Sequence, residues 1–301
     1  MNKWIKRSLG ATAFLAALVA AAPFASTPLW AHKAQRHVDV QTEAIAAPQD
    51  AVALARGAYL FASRGCAHCH GANGAGRVFV DEPNGMHARS PNITPIAGSV
   101  TSHYAAADWV RTIRHGVKPD GTPVFIMPSE DYNRLTDADV GALVAWLQQL
   151  PPAPGPAAEF RLPTIVKLLY AAGVVKDAAE KIDHTLAPAT PVAEAITPQH
   201  GAYVATMCMG CHGAHLSGGR IPSGPPNWPA AANLTPGDGS AMRRYPQADA
   251  FVAMLRSGLR PDGSAVSRVM PFDSLSALSD VDARALYLFL KDLPPRAAGN
   301  R

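Results

Sequence analysis

The sequence predicts an all-α protein built from two tandem copies of one domain. Apolar residues recur with helical periodicity, and Val78–Val80 is the one candidate strand. A set of short motifs occurs twice at a nearly constant separation. Each copy also contains a loop of about 30 residues rich in Gly, Pro and Asn, a length that is uncommon in compact domains unless the loop has a function.

The composition agrees with two folded domains and excludes several other classes of protein. The chain has 301 residues, of which 48% are apolar, too high a fraction for a largely disordered chain. A mean hydropathy of +0.01 is too low for a protein with several membrane spans. The net charge of +4 is mostly that of Lys3, Lys6 and Arg7, so no basic face for nucleic acid is indicated.

The N-terminal segment indicates export from the cytoplasm. Its basic residues precede an apolar run at residues 9–22, which matches a signal-peptide core and is shorter than a membrane span of about 20 residues. Because uncharged sequence continues to Ala31, we expect residues 1–31 to be a signal peptide or an N-terminal membrane anchor, followed by a tether at residues 32–50. The expected location is the periplasm, tethered to the inner membrane by the uncleaved segment or otherwise soluble.

Paired motifs define the two domains. The motif Cys-x-x-Cys-His is present at residues 66–70 and again at residues 208–212. Five further pairs of segments recur at the same separation to within two positions: 56–59 with 200–203, 92–95 with 233–236, 114–121 with 256–263, 127–128 with 270–271, and 150–152 with 293–295. The repeats predict a first domain at residues 51–152 and a second at residues 196–297.

Each domain is predicted to contain three helices that capping residues delimit. Asp50 and Thr197 are suited to cap the first helix of the two copies. The middle helix ends at Gly116 or Gly258, because glycine favours the left-handed conformation just past a helix end. The last helix begins at Thr136 in the first copy, followed by apolar residues in the i, i+3, i+4, i+7 pattern.

Residues 153–195 are predicted to join the domains as a helical linker bounded by prolines. An apolar stretch at residues 162–175 is the helix candidate. Two interpretations of this helix are open, packing against both domains or forming a membrane-surface patch.

The repeated Cys-x-x-Cys-His motif predicts two covalently attached haem c groups, one in each domain. Two thiols at this spacing reach the two vinyl groups on one edge of the porphyrin, and the next residue places an imidazole under the iron. A structural zinc site would need four clustered ligands, and a disulfide would leave both histidines unexplained. The predicted attachment residues are Cys66, Cys69, Cys208 and Cys211, and the predicted iron ligands from these motifs are His70 and His212.

A methionine before the last helix is the predicted sixth iron ligand in each domain. Met127 follows His70 at almost the same distance along the chain as Met270 follows His212. Methionine together with histidine gives haem iron a potential in the electron-transfer range. Met86 is a local rival for the first haem, but it has no counterpart at the repeat separation.

The repeated units resemble class I cytochrome c domains, with Gly57 and Tyr59 in an N-terminal helix, the haem motif, a methionine loop and a final helix. The fuller pattern adds Asn-Ile-Thr-Pro from residue 92, Arg-His-Gly-Val-Lys-Pro-Asp-Gly from residue 114 and Met-Pro from residue 127. This pattern is similar to that of the cytochrome c subunits of bacterial membrane-associated alcohol, aldehyde and gluconate dehydrogenases. Those subunits commonly have three haem domains, whereas two are seen in this sequence.

The resemblance implies an electron-transfer protein, or a subunit of an oxidoreductase complex, and no enzyme in its own right. The implied donor is a periplasmic or membrane-associated dehydrogenase, and the implied acceptor is a terminal oxidase, a soluble cytochrome or the quinone system. Membrane contact is expected through the N-terminal segment, and no nucleic-acid partner is expected. A dihaem peroxidase-like enzyme is the alternative, but it needs an open iron position that paired methionine ligands would close.

Overall fold

The computed structural model describes residues 3–222, 224–225 and 227–300. The described residues form a mostly helical fold with one small sheet. The α-helices are α1 (Lys3–Ala34), α2 (Ala51–Ser63), α3 (Cys66–His70), α4 (Ala106–His115), α5 (Ser129–Tyr132), α6 (Asp137–Gln148), α7 (Thr164–Ala171), α8 (Pro198–Ala205), α9 (Met209–His212), α10 (Ala248–Ser257), α11 (Phe272–Leu275) and α12 (Asp280–Asp292). The strands are β1 (Val78–Asp81), β2 (His87–Arg89) and β3 (Glu159–Arg161), and 3₁₀ turns lie at Ala179–Lys181, Thr206–Cys208 and Ala241–Arg244.

Helices α2 and α6 cross at the centre of the first half of the chain. Asp50 caps α2 by accepting hydrogen bonds from two backbone amides at 3.0 Å, and the Thr136 hydroxyl caps α6 in the same way at 3.1 Å. The helices approach closely because Gly57 has no side chain, and a Cβ there would lie 2.1 Å from the carbonyl oxygen of Ala142. The buried side chains around this crossing are Leu60, Phe61, Trp109, Ile113, Val140, Leu143, Val144 and Leu147.

Helices α8 and α12 repeat this crossing in the second half. Thr197 caps α8 and Ser279 caps α12, each through its side-chain hydroxyl. Gly201 takes the place of the glycine in α2, since a Cβ there would lie 2.0 Å from the carbonyl oxygen of Ala285. A separate core surrounds this crossing, and its largest buried side chains include Leu216, Met242, Phe251, Leu255, Leu278, Leu286 and Leu290.

A three-stranded antiparallel sheet departs from the all-α prediction. Strands β1 and β2 form a hairpin within the long loop after α3, and β3 adds from the linker, where Phe160 lies opposite Ala88. The one strand candidate in the sequence, Val78–Val80, lies within β1. Strands β2 and β3 have three residues each, too few for an alternating pattern to be recognised.

Residues 32–50, predicted to be a tether, lie against the first half of the chain and against the linker. The guanidinium of Arg36 forms two hydrogen bonds with the carboxylate of Asp177, at 2.5 and 2.9 Å, and that carboxylate is fully buried. Farther along, the segment passes over α6, where a Cβ on Gly141 would lie 2.1 Å from the carbonyl oxygen of Ala46. The segment therefore covers part of the first half.

The linker helix α7 packs against α1 and against the first half. Its Tyr170 meets the ring of Phe125 edge to face, with the ring centroids 5.0 Å apart. The Nζ atom of Lys33 in α1 donates a hydrogen bond to the Tyr170 carbonyl at 2.8 Å. Among the described residues, none of the helices combines the length and the apolar character that crossing a membrane requires.

Candidate haem sites

The first Cys-x-x-Cys-His motif folds into the short helix α3, directly after α2. Gly65 between the two helices has φ of 87°, a left-handed conformation that turns the chain so that α3 can begin. Burial raises the pKa of Cys66 to about 12 and that of Cys69 to about 11, so both thiols are protonated at neutral pH. In the second motif, burial likewise raises the pKa of Cys208 to about 12, and Cys211 is exposed.

Both motif histidines make the same contact through Nδ1, each with a backbone carbonyl of the loop that follows the motif. The Nδ1 atom of His70 lies 3.2 Å from the carbonyl oxygen of Pro91, and Nδ1 of His212 lies 2.8 Å from that of Ala232. Burial lowers the pKa of His70, which favours the neutral imidazole. A neutral ring that donates Nδ1–H to a carbonyl presents the lone pair of Nε2 to a metal, the arrangement typical of metal-ligating histidines. The residues present therefore fit a haem group at both motifs.

The Asn-x-Thr-Pro segment of each half fastens the long loop that follows the motif. The side-chain amide of Asn92 donates a hydrogen bond to the carbonyl of Ala153 at 2.7 Å, and its Oδ1 accepts one from the backbone of the threonine two residues later at 2.8 Å. In the second half, Asn233 bonds the carbonyl of Arg296 at 2.8 Å and the corresponding threonine at 2.9 Å. The loop that supplies each carbonyl to a motif histidine is thereby tied to the segment that follows the last helix.

The two predicted methionine ligands occupy matching positions. Met127 directly precedes Pro128 and α5 and packs, like Cys66, against the core of the first half. Met270 directly precedes Pro271 and α11 and packs, like Cys208, against the core of the second half. The rival Met86 lies in the turn between β1 and β2. The assignment of Met127 and Met270 as iron ligands stays a prediction that this placement favours.

The two motifs lie at the contact between the halves, a feature that the sequence reasoning missed. Helix α5 packs against α9, and α11 packs against α3, so each methionine loop meets the other half's motif. Oδ1 of Asp131 accepts a hydrogen bond from the backbone N–H of Gly210 at 3.1 Å. In the reverse sense, Oδ2 of Asp273 lies 3.7 Å from Nδ1 of His68. Each aspartate follows the Met-Pro pair of its repeat, but Asp131 lies four residues after Met127 and Asp273 three after Met270, so the two do not correspond and no repeated signal marks this contact.

Comparisons with known proteins give matches to cytochromes. Residues 54–151 match the family model of cytochrome c. The chain is 28% identical over 285 residues to the fructose dehydrogenase cytochrome subunit of Gluconobacter japonicus, which covers 85% of this chain and 56% of that protein. It is 27% identical over 275 residues to the cytochrome c subunit of alcohol dehydrogenase (quinone) from Komagataeibacter europaeus, covering 82% of this chain and 57% of that subunit. A 96-residue stretch is 33% identical to the gluconate 2-dehydrogenase cytochrome c subunit of Pantoea cypripedii, covering 30% of this chain and 22% of that subunit.

Residues 54–151 thus match the cytochrome c family, whose members bind haem c covalently. It is similar to cytochrome subunits of dehydrogenases, which confirms the resemblance that the sequence motifs indicate. These relatives are named as cytochrome subunits and not as the dehydrogenases themselves, in agreement with a cytochrome rather than a catalytic enzyme. The chain spans little more than half the length of the first two relatives.

Proposed function

We propose that the chain is a dihaem c-type cytochrome that carries electrons in the periplasm from a dehydrogenase to a respiratory acceptor. The observation that carries the proposal is that both motif histidines present Nε2 in the same way, held by the carbonyls that directly precede Asn92 and Asn233. Residues 51–152 and 196–297 are then tandem class I cytochrome c domains joined by the linker at residues 153–195. The repeated helix crossing and the repeated loop anchors support this division.

Each domain of the proposed cytochrome supplies four side chains to its haem. Cys66, Cys69, Cys208 and Cys211 would form the thioether bonds, and His70 with Met127 and His212 with Met270 would hold the two irons. The haem group, when bound, supplies one-electron chemistry by cycling between ferric and ferrous iron. The protein orients the imidazoles through their Nδ1 bonds, and its apolar cores keep water from the irons.

The proposed donor is a dehydrogenase that oxidises a small alcohol or sugar, the kind of substrate that the names of the relatives indicate. The acceptor is a terminal oxidase, a soluble cytochrome or the quinone system. Charge distinguishes the two halves, since residues 50–152 have 8 basic and 9 acidic side chains while residues 196–301 have 10 and 7. An excess of positive charge favours the second half as the side that meets an acidic partner, through encounter rate more than affinity.

The proposed location is the periplasmic face of the inner membrane, with the N-terminal segment as the tether. Its basic residues and apolar run support export. Ser26 in α1 is only 1% exposed and Lys33 bonds the linker helix, which supports retention of this part of α1 in the mature protein. Membrane contact would then be made by the residues that precede it.

The haem content of the exported protein tests the proposal. Extraction with acidified acetone should remove no haem, because thioether bonds are covalent, and the haem-to-protein ratio should be two, one for each motif. The matched controls are Cys66→Ser with Cys69→Ser, and Cys208→Ser with Cys211→Ser, each of which should retain one haem.

Two results would contradict the assignment. A wild-type ratio of one, or haem that passes into the solvent, would overturn the two-haem proposal. Rapid peroxide reduction by the half-reduced protein, with one iron becoming five-coordinate, would favour the peroxidase-like alternative, although none of the relatives named above is a peroxidase.

A further inference from the structure

Two crossed tyrosine–aspartate hydrogen bonds join the halves of the chain. The hydroxyl of Tyr59 on α2 donates to Oδ2 of Asp282 on α12 at 2.5 Å, and the hydroxyl of Tyr203 on α8 donates to Oδ2 of Asp139 on α6 at 2.6 Å. Each hydroxyl also accepts a hydrogen bond from the backbone N–H of a helix-capping residue. The donor to Tyr59 is Ser279, which caps α12, at 3.1 Å, and the donor to Tyr203 is Thr136, which caps α6, at 3.2 Å. The two tyrosines occupy corresponding positions of the repeats, and so do the two aspartates, so both contacts are made by equivalent residues of the two halves.

Both aspartates are charged, so these are charge-assisted bonds. Burial opposes ionisation of Asp139, but the hydrogen bond and charge of Arg56, at 2.8 and 2.9 Å, outweigh it and lower the pKa. Burial also opposes ionisation of Asp282, which the charge of Arg64 at 3.0 Å outweighs, so this pKa is lowered as well. His200 adds a further contact at 2.7 Å to the fully buried carboxylate of Asp282. Hydrogen bonds to ionised acceptors are roughly twice as strong as neutral ones.

Separation of the halves would disrupt this arrangement. Asp282 receives bonds from Tyr59 and Arg64 of the first half, and Asp139 receives one from Tyr203 of the second. A buried carboxylate that loses such a partner carries the full desolvation cost of the lost bond. The crossed bonds therefore favour one relative orientation of the halves.

This orientation sets how the haem motifs face each other. Tyr59 lies seven residues before Cys66 and Tyr203 lies five residues before Cys208, on helices that lead directly into the motifs. The carboxyl group of Asp131 against Gly210 shows how close the approach is, since a Cβ on that glycine would lie 2.9 Å from Oδ1. Gly210 lies between the two cysteines of the second motif, so the first half contacts the segment that attaches the second haem.

We propose that Tyr59 and Tyr203 are positioning residues, which hold the two haem motifs in the orientation that permits direct electron exchange between the haems. This inference rests on the proposed dihaem function. In each exchange one ferrous iron is oxidised to ferric while the other ferric iron is reduced to ferrous, and no atom or proton is transferred. The tyrosine hydroxyls touch neither iron and act only through the contact between the halves.

The test removes the two hydroxyls and keeps the rings, with Tyr59→Phe, Tyr203→Phe and the double variant. Tyr287→Phe is the matched control, because this buried tyrosine donates to the carbonyl of Pro246 at 2.8 Å within the second half. Two quantities are measured on the purified dihaem protein: the rate of electron exchange between the haems after rapid partial reduction, and the radius of gyration from small-angle X-ray scattering. Redox titration of both haems accompanies each variant.

Loss of the charge-assisted bonds should shift the balance between joined and separated halves by about tenfold or more for each bond. The double variant, whose balance shifts by about a hundredfold, should therefore exchange electrons more slowly than the wild type and have a larger radius of gyration, with both haem potentials unchanged. Each single variant should show a smaller change of the exchange rate and of the radius of gyration in the same direction. These two variants test the inference if the double variant does not fold. Tyr287→Phe should match the wild type in both measurements.

An unchanged exchange rate and radius of gyration in the tyrosine variants would overturn the inference. An equal effect of Tyr287→Phe would also overturn it, because the loss would then be one of general stability. A wild-type protein with a single haem would instead overturn the proposed function, and the radius of gyration would still report whether the tyrosines fix the orientation.

Discussion

Substitution of Gly57 by alanine is expected to separate the two helices that support the first haem motif. The new Cβ would lie 2.1 Å from the carbonyl oxygen of Ala142 and 2.6 Å from Cβ of Trp146, and neither atom can rotate away. Ordinary contact begins at about 3.4 Å, so α2 and α6 would have to move apart by more than about 1 Å.

Two effects of opposite sign determine how much Gly57→Ala changes the free energy of unfolding. Alanine is favoured over glycine within a helix by about 1 kcal/mol. Overpacking of a well-packed contact costs about 1–3 kcal/mol, and a collision with backbone belongs at the upper end of that range. We therefore expect the free energy of unfolding to fall by about 2 kcal/mol, which corresponds to a decrease of about 1 M in the urea midpoint.

Urea unfolding followed by circular dichroism measures this change. Gly201→Ala, which meets the carbonyl oxygen of Ala285 at 2.0 Å, should destabilise the second half in the same way. Gly85→Ala is the control for loss of a glycine without a collision, since nothing lies within 4 Å of its Cβ and only its φ of 85° is unfavourable. A Gly57→Ala variant as stable as the wild type, or more stable, would refute the close helix crossing, because only the gain in helix propensity would remain.

Two further predictions concern the methionine ligands and Asp131. Met127→Ala or Met270→Ala should abolish the far-red sulfur-to-iron absorption band of one haem and lower its potential, whereas Met86→Ala should leave the spectrum unchanged; the opposite pattern would make Met86 the ligand. Burial raises the pKa of Asp131 to about 8 from its ordinary value of 3.8, so the folded state holds a proton that the unfolded state has lost and stability should fall as pH rises between these values. Asp131→Asn should flatten the dependence of the urea midpoint on pH in that window, and an equal slope in both proteins would contradict the assignment.

Features that depend on nearby residues could be predicted from the sequence. Asp50 and Thr136 cap helices where the sequence indicates, because an N-cap bond joins residues two or three apart. Gly116 and Gly258 end α4 and α10 in left-handed conformations, with φ of 62° and 71°. The motif Cys-x-x-Cys-His identifies its chemistry within five residues.

Features that join distant segments could not be predicted in this way. Strand β3 pairs with β2 across about 70 residues, and strands of three residues have no periodicity to detect. Arg36 binds Asp177 across a separation of 141 residues, and neither residue belongs to a repeated motif. Tyr59, in the Arg-Gly-Ala-Tyr segment, belongs to a repeat that the sequence shows. Its hydrogen-bond partner Asp282 lies in the other half, and only the three-dimensional structure identifies that partner.

The crossed contact follows from duplication of a self-complementary surface. Each half provides one tyrosine and one aspartate, so the first tyrosine meets the second aspartate and the reverse contact is made as well, as in a twofold-symmetric dimer. The symmetry fails at the other side chains that contact the two aspartates. Arg56 pairs with Asp139, but the corresponding residue His200 pairs with Asp282, and Arg64, which also binds Asp282, corresponds to Thr206. Asp282 therefore keeps contacts with Arg64 and His200 when the Tyr59 hydroxyl is lost, and Asp139 keeps its two bonds from Arg56 when the Tyr203 hydroxyl is lost. Because each carboxylate retains two side-chain contacts, the two single variants should weaken the contact between the halves by similar amounts.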